Sequence, residues 1–107
     1  MKEITTRDLK ESLILLFLHT EDDWEGGWRE EWREGPRVWA AVWPLLNMQA
    51  QGPAYRLTLR ATITLPPQSK FLWPLLNTTK RLRVINSPSL IQYNRFLTMI
   101  AEEEENA

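Results

Sequence analysis

The sequence predicts an all-β domain: a small antiparallel β-barrel or sandwich of five to six strands joined by long loops. Three observations carry this. Tyr55–Leu65, YRLTLRATITL, alternates throughout, with Tyr55, Leu57, Leu59, Ala61, Ile63 and Leu65 on one side and Arg56, Thr58, Arg60, Thr62 and Thr64 on the other. That is a strand with one face in a core and one in water, and its Thr and Ile content suits a pleated sheet. Arg37–Leu46, RVWAAVWPLL, is apolar on both faces, as a strand buried on both sides would be. Breakers at Gly26-Gly27, Gly35-Pro36, Pro66-Pro67 and Ser87-Pro88 cut the chain into short segments.

The alternating run organises the rest. At helical spacing Arg56 and Arg60 would lie beside Ile63, so a helix fits poorly. As one strand it spans roughly 36 Å at about 3.3 Å per residue, long enough to bend around a barrel or between two sheets. Ile63→Lys is therefore expected to unfold the domain and Thr62→Lys to be tolerated.

In chain order, Met1–Glu11 is polar and mixed in charge; residues 1–10 and 104–107 are expected to be mobile. Ser12–Thr20 reads either as the end of an amphipathic helix begun near Thr6 or as a strand. Strand from about Leu13, with Leu13, Leu15, Phe17 and His19 on one face, is preferred because the next segment returns on it as a hairpin would. Glu21–Gly27 is an acidic turn. Trp28–Glu34, WREEWRE, reads as a charged edge strand or irregular arm that Gly35-Pro36 ends. In the next strand Val38, Ala40 and Val42 share one face, and Trp39, Ala41 and Trp43 the other; Pro44 ends it or meets a sheet edge. Asn47–Ala54 is a connection. Gln68–Thr79 is a long connection in which WPLLN of Trp73–Asn77 repeats Trp43–Asn47, a match best put down to chance in a Trp- and Leu-rich chain. Lys80–Asn86 is a strand, Leu90–Tyr93 a short continuation, Arg95–Ala101 a last strand, and Glu102–Glu105 a solvated acidic tail.

Composition narrows the function. At 107 residues the chain makes one domain with a modest core. A net charge of −1 argues against a dedicated nucleic-acid binder. Without cysteine there is no disulfide framework and no thiolate zinc site, which fits a reducing compartment. Leu13–Leu18 is too short to span a bilayer and lacks the flanks of a cleaved signal peptide. Six tryptophans mark either a ring-rich core or a contact surface.

No catalytic, metal or cofactor motif emerges. His19 near Asp22 and Asp23 fits no ligand spacing, and a strand-end histidine is the simpler reading. The carboxylates of Glu21–Glu34 lie in a charged, turn-rich segment, not in a desolvated site. An enzyme is not expected. The arginines form the sharper pattern. Arg56 and Arg60 share the wet face of the long strand, Arg81 and Arg83 share a face of the basic strand, and Arg95 starts the last strand. They would make either a solvated face with weak ion pairs or a basic patch that meets the acidic segments of a neighbouring copy in a ring. Trp24, Trp28 and Trp73 are then candidate anchors, with Phe71 beside Trp73.

In this order the segments resemble the phage head-tail joining family, the head-closure or stopper proteins of tailed phages, prophages and gene transfer agents. The likeness runs roughly from Leu13 to Glu103. It is carried by the Gly26-Gly27 turn and WREEW, the V-W-A-x-V-x-P strand at Val38–Pro44, the long alternating strand, RLRVINSP at Arg81–Pro88, and L-T-x-I-A-E-E at Leu97–Glu103. The resemblance implies a ring of copies beneath the portal and adaptor proteins, at the head-tail interface of a virion assembled in a bacterial cytoplasm. The ring would retain packaged DNA, which passes without sequence-specific contact, and dock tail proteins, with no membrane involved. The family's channel-facing loop matches Leu46–Ala54 here, with Asn47, Met48, Gln49, Ala50, Gln51, Gly52 and Pro53 as candidates. The loop is short for the family, and PPQSKFLWPLLNTT replaces the usual segment before the basic strand. Two other readings stay open: a small-ligand or carbohydrate-binding β-module, favoured by three coplanar exposed rings in a row, and a tail-side terminator.

Overall fold

A computed structural model describes residues 4–45, 53–66 and 68–104. The chain is all-β and antiparallel. Its strands are β1 (Glu11–Asp22), β2 (Trp28–Leu45), β3 (Ala54–Arg60), β4 (Lys70–Pro74), β5 (Thr79–Val84), β6 (Ser89–Ile91) and β7 (Phe96–Glu104), preceded by a single 3-10 turn at Thr6–Asp8. The sheet order is β3-β2-β1-β4-β5-β7-β6, and a further β3–β7 ladder closes it into a ring, with β6 appended to β7. One sheet closed on itself thus replaces the two-sheet alternative. The seventh strand is β4, which lies within the stretch read as a long connection. Among the described residues no helix is long and apolar enough to cross a membrane.

The β1–β2 hairpin is longer than the breakers suggested. Gly35-Pro36 does not end β2; it bulges it. Ile14 faces Arg37 and Leu16 faces Glu34, so β2 carries one extra residue. Gly35 is needed there because an added Cβ would lie 3.3 Å from the Leu15 carbonyl oxygen and 3.4 Å from the Phe17 ring. Pro36, lacking an N–H, is tolerated in the irregular ladder. Pro44 lies where β2 pairs with β3 but β1, which begins opposite Ala40, no longer covers its other edge.

Alternate residues of each strand fill the interior: Leu13 and Leu15, Val38 and Ala40, Leu57 and Leu59, Phe71, Leu82, Met99 and Ala101. The organising strand is shorter than its pattern. β3 stops at Arg60 and turns at Ala61-Thr62, where the Ala61 N–H donates to the Arg95 carbonyl and the Ile63 N–H to the Arg60 carbonyl. Ile63 and Leu65 still pack on the core from beyond the strand. The outer side of the sheet is not uniformly wet either. Leu9, Ala41 and Phe96 form a second cluster there, with Ile4 and Ile91 against it. The Gln92 side chain clamps this N-terminal cover by accepting from the Ile4 N–H and donating to the Ile4 carbonyl, both at 2.7 Å. In the adjoining row, Thr58 lies between Ala41 and Thr98 and is fully buried, although the alternation assigned it to the wet face.

The acidic end of the chain is a strand, not a solvated tail. Glu102, Glu103 and Glu104 face Arg83, Leu82 and Arg81 across the β5–β7 ladder. Glu102 pairs with Arg83, and Glu104 with Arg81 at 3.1 Å and Lys70 at 2.7 Å. Opposite charges facing each other across a ladder stabilise the pairing of the strands that bear them.

Candidate interaction surfaces

Two surfaces emerge from this architecture. The first is the arm. β4 covers β1 only at Ile14–Leu16, whereas β1 and β2 continue as a pair from Phe17–Arg33 to Asp22–Trp28, so a two-stranded ribbon about 20 Å long stands off the body. At its root the Trp32 ring takes the Lys70 ammonium at 4.6 Å and the Arg81 guanidinium at 5.5 Å, which fixes the arm to β4 and β5. Its tip is ordered by side chains. Asp22 Oδ1 accepts from the Trp24 N–H, and Asp23 Oδ1 from the Glu25 and Gly27 N–H groups, each at 2.9 Å. Those backbone donors, Glu25 first and Gly27 second, hold the Asp23 carboxyl below the usual aspartate range. Trp24 sits at φ 68°, a left-handed conformation that costs a bulky residue on the order of 1 kcal/mol. The result is an indole 93 % exposed, with Trp28 73 % exposed beside it.

The second surface is the outer face of β2, β3 and β7. Register aligns Trp43 with Arg56 and Ile100 in one row; Trp39, opposite Ser12 of β1, lines a separate hollow with Arg60. Trp39 and Trp43 are 58 % and 40 % exposed. Trp43, Leu45, Ile91, Ile100 and Ile4 line a groove of about 610 Å³ in which Arg56 is the one charged lining group among the described residues. The two-sided apolar pattern of β2 is therefore explained by its own core on one side and by this open surface on the other. A sequence reading limited to Trp24, Trp28 and Trp73 leaves out Trp39 and Trp43 as contact residues, although the pattern of their strand pointed to them.

The remaining candidates fall elsewhere. Phe71 is fully buried in the core and offers no surface to a partner. Trp73 stands edge-on to Tyr55, with ring centres 5.3 Å apart, and donates from Nε1 to Glu11 at 3.1 Å. Arg81 and Arg83 do not join Arg56 and Arg60 in one basic patch, because β7 runs between β3 and β5 and its glutamates neutralise the β5 arginines. Arg56 and Arg60 remain exposed. Of the loop candidates, Pro53 is exposed and its carbonyl accepts from the Glu103 N–H at 2.8 Å; Asn47, Met48, Gln49, Ala50, Gln51 and Gly52 lie outside the described residues.

One end of the interior is closed by a polar cap. Lys80 Nζ donates to the Tyr55 hydroxyl at 3.2 Å and lies 3.5 Å from Glu103, and the Tyr55 hydroxyl donates to Glu103 at 3.3 Å. The Tyr55 bond, and then Glu103, push the Lys80 ammonium above its ordinary range. A nucleophilic lysine needs the opposite shift, so this cluster seals the core end instead of activating an amine. Among the described residues no three His, Cys, Asp or Glu side chains gather where they would hold a metal.

The fold and these surfaces define a ring-closed antiparallel β-domain with a protruding hairpin arm. No protein-family model matches the chain, and no curated protein matches it. Its fold is shared with the solution structure of protein SF1141 from Shigella flexneri 2a, a structural-genomics target, at a TM-score of 0.74 and 19 % identity, over 89 % of this chain and 92 % of that one.

Proposed function

We propose that this chain is a structural connector subunit of a phage-like particle, a head-closure or stopper protein that forms a ring beneath the portal and its adaptor. The ring retains packaged DNA and gives the tail its docking surface, acting by assembly and channel closure without catalysis. The observation that carries this reading is the pair of uncovered aromatic surfaces on a subunit whose own interior is already filled: Trp24 and Trp28 on the arm, Trp39 and Trp43 on the outer face. A ring subunit must meet a neighbour on each of two sides, and exposed indoles are the side chains that most often anchor such contacts. The W-A-x-V-x-P and L-T-x-I-A-E-E segments, which fall in β2 and β7, support the same reading. A sugar-binding module would favour three rings in a row, whereas these divide two and two along β2 and its turn.

The test is to mix the chain with a portal–adaptor complex from the same genome and to measure the mass of the product by native mass spectrometry. The expected product is the complex plus a full ring of this chain. A folded chain that never joins the complex would overturn the proposal.

A further inference from the structure

Resting on the connector reading, we propose how one copy meets the next: the hairpin tip of one subunit seats in the outer groove of its neighbour, Trp24 entering the hollow beside Trp43 and Ile100 and the tip carboxylates facing Arg56. Four observations converge on a second copy as the occupant.

Among the described residues the groove is mostly apolar, with Asn86, Ser89, Gln92 and Thr98 as neutral polar lining and Arg56 as its charged group, and it is large enough for an indole side chain. The arm bears the opposite charge, with seven carboxylates against two arginines between His19 and Glu34. A tip meeting another tip would bring carboxylates together, and an outer face meeting another outer face would bring Arg56 and Arg60 together, so like charge disfavours both symmetric pairings. The tip is also ordered before any contact forms. Asp22 and Asp23 fix its backbone, and Trp24 is held outward at positive φ, so docking it surrenders little further chain entropy.

Separation within one chain completes the case. Trp28 and Trp43 are 15 residues apart on the same strand, about 50 Å of β2 at about 3.3 Å per residue, and the molecule is 54 Å along its longest axis. A tip cannot fold back onto its own groove. The contact is therefore head-to-tail between copies, which closes into a ring where the rotation permits and otherwise runs on as a filament.

The chain has no cysteine, so engineered pairs report on the contact without background. Glu25→Cys and Arg56→Cys variants are mixed and oxidised, both concentrated alone and on the portal–adaptor complex, with Glu25→Cys plus Thr79→Cys as the control. The expected result is a disulfide between the tip and groove variants formed at least tenfold faster than in the control, and a ladder beyond dimer when one chain carries both substitutions. Arg56→Glu should abolish assembly, and adding Glu25→Arg should restore part of it. No tip-to-groove disulfide in either setting, or Glu25→Cys linking only to itself, overturns the inference. If the chain joins the portal–adaptor ring without that disulfide, this contact is wrong while the connector reading stands; if it joins nothing, both fall.

Discussion

The Lys70 ammonium lies 4.6 Å from the centre of the Trp32 ring, which ties a hairpin arm of β1 and β2 to the strand that follows 38 residues later. Arg81 meets the same ring at 5.5 Å. An otherwise free two-stranded ribbon is marginal by itself, so its direction depends on this root.

Trp32→Ala should therefore loosen the arm while sparing the core. Two cation–π contacts at a half-exposed site amount to about 1–2 kcal/mol, and global stability by urea denaturation should fall by no more than that. Amide exchange in Leu18–Asp22 and Trp28–Glu31 should quicken markedly. Unchanged exchange there would show that the arm is held by other means.

Thr58 offers a substitution at which alternation and structure disagree. Thr58→Lys, acceptable on a wet face, should destabilise by more than about 3 kcal/mol because it buries an unpaired charge. Thr58→Val, which gives up only a 3.4 Å contact with the Thr98 hydroxyl, should cost less than about 1 kcal/mol. Denaturant melts of the two variants decide whether the outer face is covered.

Acid should unfasten the tip before it unfolds the body. Asp23 has a folded pKa below its unfolded value, so its contribution is present above about 3.9 and is lost as the pH falls through the lower folded value. The Gly27 and Glu25 amide signals in NMR should shift together below about pH 4, and Asp23→Ala should produce the same change at neutral pH. Lys80 works in the opposite sense. Its pKa is raised, so its contribution is full below about 10.4 and is lost as the pH rises through the folded value, loosening the polar cap only in strong alkali.

Removing Glu102 should test the β5–β7 junction. Its side chain is buried, but Arg83 opposite is half exposed and can return to water. Glu102→Ala should accordingly cost about 1–3 kcal/mol, less than breaking a fully buried pair. A much larger loss would mean that Arg83 is trapped by its surroundings.

Much of the fold was legible in single strands: β3 from its period-two alternation, the second half of β2 and β7 as runs apolar on both faces, β5 as a short basic strand, and β1 from the hairpin return that follows it. What was not legible depends on which strands become neighbours. Thr58 is buried between Ala41 of β2 and Thr98 of β7, neither of which β3 can signal. Glu102–Glu104 reads as a tail until β5 lies opposite with Arg81 and Arg83. Gly35-Pro36 reads as a stop, yet one extra residue in a long hairpin is equally well served by a glycine and a proline. β4 was hidden because KFLWP is too short to show a period. The outer surface was half legible: a strand apolar on both faces announced Trp39 and Trp43, while the basic patch expected of five arginines lost Arg81 and Arg83 once β7 came between β3 and β5.

The connector proposal makes its most direct claim about particles. Deleting this coding sequence from the genome that carries it, and restoring it on a plasmid, reads that claim through the DNA content and tails of the purified particles. Heads that package and then lose their DNA, stay tailless, and recover both with the plasmid are the expected result. Particles that keep full-length DNA and carry tails without this chain would contradict it.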